Sequence, residues 1–123
     1  DGKPDWVLEQ VEAALGDKSH GVVAALGIAF KRDIDDLRES PSLDIVKQLG
    51  SRNSNLDIRV VEPNVAELPA SLKELENVKK ESLVEAISAA GVVLLLVDHT
   101  EFASIDRKLL EGKTVIDTRG LWR

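Results

Sequence analysis

Apolar runs recur along the chain and alternate with amphipathic stretches, and that alternation predicts its elements. In "DWVLEQVEAAL", after Pro4, residues Trp6, Val7, Val11 and Leu15 fall at near-helical spacing and predict a first helix over 5–15. "GVVAALGIAF" (21–30) is apolar throughout and is bounded by His20 on one side and by charge on the other. That is the profile of a strand buried on both faces. Ser40 then reads as an N-cap with Pro41 at the first helical position, and Leu43, Ile45, Val46 and Leu49 share one face until Gly50. "LDIRVVEP" (56–63) predicts a second strand, 64–77 a loop containing Pro69, and the surroundings of Val78 a short third strand. "SLVEAISAA" predicts a helix ending at Gly91, "VVLLLVD" a buried strand, and "TEFASIDRKLL" a helix capped by Thr100 and closed near Gly112. "TVID" (114–117) is the last strand.

Strands that alternate with helices, several of them almost wholly apolar, call for a parallel sheet covered on both faces. With right-handed crossovers, the expected fold is a Rossmann-like α/β three-layer sandwich with a mainly parallel sheet of about five strands, in an order such as 3-2-1-4-5. In such sheets ligands bind beyond the carboxyl ends of the strands, where the strand order reverses. Here that brings together Phe30 and Lys31 after the first strand, Asp98 and His99 after the fourth, and Thr118 and Arg119 after the last.

Composition narrows what could bind there. A chain of 123 residues with 43% hydrophobic content is one compact domain, residues 1–123, able to bury a core without cross-links. It contains no cysteine, which excludes a disulfide framework, a thiolate zinc site and a cysteine nucleophile. A net charge of −6, with basic residues interspersed among acids, argues against nucleic acid as a partner. The longest apolar run, "GVVLLLV" at 91–97, is too short to span a bilayer, and "DGKPDW" lacks the order of a signal peptide. No membrane association and a cytoplasmic location are therefore expected. The acidic start without methionine suggests a piece of a longer protein.

The turn after the first strand carries the chemistry. "GIAFKRDIDDLRESPS" (27–42) has no glycine after Gly27, so a G-x-G-x-x-G turn that lets backbone approach a pyrophosphate is missing. Glu62, at the end of the second strand, could in principle take a ribose hydroxyl, but without that turn it reads as a plain strand-end acid. Lys31 could be a solvated lysine; at the end of a central strand it instead points a compact charge into the crevice. Arg119 can contact phosphate in bidentate fashion, while Arg38 can pair with Glu39, Asp35 or Asp36. Asp33, Asp35 and Asp36 lack calcium-loop spacing, and no metal site is expected. Asp98 and His99 lack a nucleophile turn to serve, so His99 is expected to pack or hydrogen-bond at the strand end, and no catalytic residue is expected in this chain. Trp6 and Trp122 read as core or interface anchors. A receiver-like phosphoacceptor module would need a lysine ending the last strand, which "TVIDTRG" lacks.

"GIAFKRDIDDLRESPSLDIV" together with "VVEPN" (60–64), "LLLVDHTEF" (94–102) and "VIDTRGLW" (115–122) resembles the C-terminal, UDP-binding domain of the UDP-glucose/GDP-mannose dehydrogenase family. The second and third segments look most like the branch acting on UDP-N-acetyl-D-mannosamine. The resemblance implies a role in an NAD-dependent enzyme that makes two hydride transfers at the sugar C6, through a thiohemiacetal and a thioester on a cysteine. It implies that an N-terminal domain binds NAD, that a central helical domain carries the cysteine and forms a dimer, and that this domain holds the UDP part of the substrate. Phe30, Lys31 and Arg119 would contact the UDP-sugar, and Arg38 would sit at the junction with the NAD domain. The implied partners are the UDP-sugar and the other two domains of the same protein, within a homodimer or higher homo-oligomer. A purely structural or oligomerising domain, or the same domain of an enzyme acting on UDP-glucose or another nucleotide sugar, is the alternative.

Overall fold

The computed structural model describes residues 3–15, 21–29, 37 and 40–122. In chain order these form α1 (Lys3–Leu15), β1 (Val22–Leu26), α2 (Pro41–Arg52), β2 (Asp57–Val61), α3 (Ala70–Lys73), β3 (Val78–Lys80), α4 (Leu83–Ala89), β4 (Val92–Leu95), α5 (Thr100–Ala103), a 3-10 turn (Arg107–Leu110) and β5 (Thr114–Asp117). The strands make one five-stranded sheet in the order β3-β2-β1-β4-β5. Every ladder is parallel, with Val23 opposite both Ile58 and Val92. The predicted α/β architecture and strand order are those observed, and the order reverses between β1 and β4.

Alternation along the strands divides the core in two. Val23 and Ala25 of β1, Ile58 and Val60 of β2 and Val92 and Leu94 of β4 face α1 and α2, which cover them with Val7, Leu8, Val11, Val46 and Leu49. Ala24, Leu26, Val61, Val93 and Leu95 point the other way, against Ala86, Ile87 and Ala90 of the α4 region and Phe102 of α5. The small side chains of Ala24, Ala86 and Ala90 let α4 lie close to the centre of the sheet. A sheet buried on both faces explains why β1 and β4 show no polar alternation in sequence.

Several elements depart from expectation for identifiable reasons. The apolar run 21–30 is a strand only as far as Leu26, because Gly27 takes a positive φ of 95° and turns the chain out of the ladder. Ile28 and Ala29 remain fully buried beyond the strand, which is why they look strand-like in sequence. Helix α2 is capped as predicted, with Ser40 accepting from the Leu43 N–H, but it runs through Gly50 to Arg52. A Cβ at Gly50 would meet Val78 Cγ2 at 2.9 Å, so this glycine serves close helix–strand packing rather than termination. The loop 64–77 contains α3, started by the Pro69 carbonyl, which accepts from Leu72 and Lys73. The predicted helix from Thr100 is two short pieces; His99 holds the capping position, and Asp106 starts a second turn by accepting from the Lys108 N–H. Trp122 is half-buried in the second core cluster, whereas Trp6 is 51% exposed and is no core anchor.

Candidate functional site

The site is built where the strands end. Leu26 closes β1, and its carbonyl accepts the N–H groups of Leu96 and Val97 from the end of β4, while the Gly27 N–H donates to Val61 O at the end of β2. The chain passes so close to Val97 that a Cβ on Gly27 would lie 2.6 Å from Val97 Cβ. The two residues that follow are held on both sides. Their N–H groups donate to Glu62 Oε1, at 2.9 Å from Ile28 and 3.1 Å from Ala29. Their carbonyls accept from Ser40 Oγ, at 2.7 Å and 3.2 Å.

Glu62 follows β2 and is 1% exposed; His99, beyond β4, is fully buried. The two strands flank β1, and because β1 stops at Leu26 their side chains meet across its end, with His99 Nε2 2.9 Å from Glu62 Oε1. Glu62 Oε2 accepts the Asn64 N–H at 3.1 Å, and the Asn64 amide meets His99 Nδ1 at 3.2 Å. The ring thus presents Nε2 to the carboxylate, which can only accept, and Nδ1 to the Asn64 amide. Burial pushes the Glu62 carboxyl up, but the hydrogen bonds from His99, Ile28 and Asn64 outweigh it and hold the group below its ordinary value. The imidazole also stacks edge-on against Phe102, at a centroid distance of 5.4 Å.

The end of β5 forms the other wall. Asp117 Oδ1 accepts from the N–H groups of Arg119 and Gly120, and Oδ2 accepts from Trp122, so one carboxylate folds the turn 118–122. Burial raises the Asp117 carboxyl, yet the N–H groups of Trp122, Leu121, Arg119 and Gly120 together lower it below its usual value. Thr118 Oγ1 donates to Leu95 O at 2.7 Å. Arg119 Nε and Ser42 Oγ both donate to Leu96 O, at 2.9 and 3.3 Å, which ties the first turn of α2, the end of β4 and the end of β5 to one carbonyl. The Nη groups of Arg119 make no hydrogen bond to any described residue, and its side chain is exposed.

The expected site residues thus divide. Asp98, His99, Thr118 and Arg119 all stand at the carboxyl edge of the sheet, beside the point where strand order reverses. Phe30, Lys31 and Arg38, with the acids Asp33, Asp35, Asp36 and Glu39, lie outside the described residues. Glu62 was expected to be a plain strand-end acid; it is a buried hub of four hydrogen bonds. The charged turn has no glycine for a pyrophosphate, and the carboxylate that could hold a ribose hydroxyl is enclosed by protein donors. These residues do not fit a dinucleotide site. A cleft of about 280 Å³ also opens beside β2 and β3, between Pro63, Lys80, Leu83 and Glu101, but neither Thr118 nor Arg119 lines it. Among the described residues no three His, Asp or Glu are grouped to hold a metal ion, and no helix is long and apolar enough to cross a membrane.

Comparison with known proteins adds a second line. Residues 24–123 match the model of the UDP-glucose/GDP-mannose dehydrogenase family, UDP-binding domain. An NDP-N-acetyl-D-galactosaminuronic acid dehydrogenase of Ralstonia solanacearum is 43% identical over 99% of the chain, which covers 28% of that relative. A UDP-N-acetyl-D-mannosamine dehydrogenase of Salmonella typhi is 42% identical over the whole chain, covering 30% of its length. The chain therefore spans less than a third of these relatives. Among solved structures, the UDP-N-acetyl-mannosamine dehydrogenase Cap5O of Staphylococcus aureus superposes with a TM-score of 0.74 at 26% identity, over 98% of this chain and 27% of that one.

Proposed function

The chain belongs to the UDP-glucose/GDP-mannose dehydrogenase family, as its UDP-binding domain, and on that premise we propose that it holds the UDP end of a nucleotide sugar for a larger, NAD-dependent C6 dehydrogenase. The substrate we assign is UDP-N-acetyl-D-mannosamine, after the relatives and the solved structure named for that sugar. Lys31 and Arg119 bind the diphosphate side of the ligand, Phe30 packs against it, and Arg38 meets the NAD-bearing domain. NAD supplies the hydride acceptor, held by another domain, as is the cysteine that this chain lacks. By fixing the unreactive end of the substrate, the domain contributes remote binding energy that positions C6 for chemistry elsewhere.

The observation that supports this reading most is the place of Arg119. Its Nε is pinned to Leu96 O beside the switch point, so its guanidinium stands ready at the sheet edge where ligands of this architecture bind. A scaffold reading draws on one observation of its own, the exposed Trp6 on α1. Lys31→Ala in the full-length protein separates the two. Loss of substrate affinity with the oligomer intact is expected; an altered assembly with unchanged substrate handling would turn the reading into the scaffold one.

A further inference from the structure

Resting on the UDP reading, we propose that Glu62, acting with His99 and Asn64, is a positioning residue for the substrate site: its carboxylate locks the ends of β1, β2 and β4 together and aims the chain as it leaves Ala29. Glu62 Oε1 takes three donors, the N–H groups of Ile28 and Ala29 and the ring Nε2–H of His99, while Oε2 takes the N–H of Asn64. The four donors come from the turns after three strands: Ile28 and Ala29 after β1, Asn64 after β2 and His99 after β4. Ser40 Oγ holds the carbonyls of Ile28 and Ala29 from the other side, so both peptide groups of this dipeptide are fixed in direction. Phe30 and Lys31 follow it directly in the chain.

A merely structural need at this place could be met without a charge. Taking a carboxylate out of water is unfavourable, and well-packed apolar groups often replace buried ion pairs at no loss of stability. A buried carboxylate supplies something else: acceptor directions that set the backbone of two turns and the His99 side chain of a third at once, with the imidazole clamped on its second nitrogen by Asn64. Misplacement of a binding group by a fraction of an ångström is enough to lose affinity, so support of this kind belongs next to a ligand site. The carboxylate is not a ligand group itself, because it is 1% exposed and its oxygens face protein donors.

Glu62→Gln in the full-length protein tests this. Whichever way the new amide is turned, its NH2 faces an N–H donor, either at Ile28 and Ala29 or at Asn64, so one turn is released while shape is kept. The dissociation constant for UDP and the KM for the nucleotide sugar should rise together, about tenfold, as expected for one lost charge-assisted hydrogen bond in a preorganised site. A residue that only stabilises the fold would lower kcat per mole of protein through loss of active molecules, with KM and UDP affinity unchanged, and that result overturns the proposal. Should Glu62→Gln fail to fold, Asn64→Ala is measured by the same criteria, with a rise of roughly two- to fivefold expected and no change counting against it. Wild-type protein that does not bind UDP overturns the UDP reading itself. Wild-type binding with equal binding by both variants overturns this inference alone.

Discussion

At the scale of single residues, two carboxylates, the buried Glu62 and the half-buried Asp117, keep their charge because backbone donors surround them. Glu62 serves the turns after β1 and β2, and Asp117 serves the turn after β5. Both are held below their ordinary values of 4.5 and 3.8. Asp57, lowered by its hydrogen bonds to Arg59, acts in the same sense. A carboxyl whose folded pKa lies below its unfolded one binds fewer protons when folded, so its contribution is complete above the unfolded value and is lost as pH falls through the folded value. In denaturant unfolding at a series of pH values, the contribution of these three carboxyls should therefore stay constant above about 4.5. That contribution should decline once pH drops below about 4.5, the ordinary glutamate value. Asp117→Asn should weaken the protein at neutral pH and flatten the decline below 3.8; a slope identical to wild type would show that the charge on Asp117 contributes nothing. Neither role was legible in the sequence. An acid at the last residue of a strand, or just past it, looks solvated until the turns packed against it are known.

Among the elements, most of the legible information was periodicity, and it failed where burial and ladder pairing part company. The run 21–30 is buried to Ala29 but paired only to Leu26, and hydrophobicity reports the first property without the second. What ends β1 is Gly27, whose φ of 95° is strained for any other residue and whose Cα faces Val97. Short elements such as α3 and the 3-10 turn are set by single contacts, Pro69 O and Asp106 Oδ1, and have too few residues to show a period. By contrast Ser40-Pro41 was readable because capping chemistry is local. Gly27→Ala then becomes a test of the strand end. Positive φ and the contact with Val97 should together cost roughly 2–5 kcal/mol in urea unfolding. A loss under about 0.5 kcal/mol, the range of a neutral surface change, would mean that the β1 end relaxes freely and does not fix the turn that follows.

For the whole molecule, a ligand site for a diphosphate has to work against a net charge of −6. On the reading proposed above, the topology resolves this locally. Strand order reverses between β1 and β4, and the ends of β4 and β5 are sewn together by Thr118, Ser42 and Arg119 around Leu95 O and Leu96 O, which leaves a guanidinium at the sheet edge. That placement was readable from strand order alone, since any residue ending β5 beside β4 must fall near the switch point; its anchoring to Leu96 was not, because the partners lie in separate elements. A second cation, Arg59, binds Asp57 and Glu81, ties β2 to the end of β3 and stands on the opposite side of the sheet from β5. Arg59→Ala and Arg119→Ala each remove one positive charge, so the long-range repulsion of an anion changes almost equally in both. If the site is the local crevice, Arg119→Ala should weaken UDP binding about 10- to 100-fold, the equivalent of a charge-assisted contact. Arg59→Ala should stay within about twofold and cost at most about 1 kcal/mol of stability. Calorimetric titration of both variants with UDP decides between them: equal losses would mean that the general field of the protein governs binding, and Arg119 would then have no direct part in holding the diphosphate.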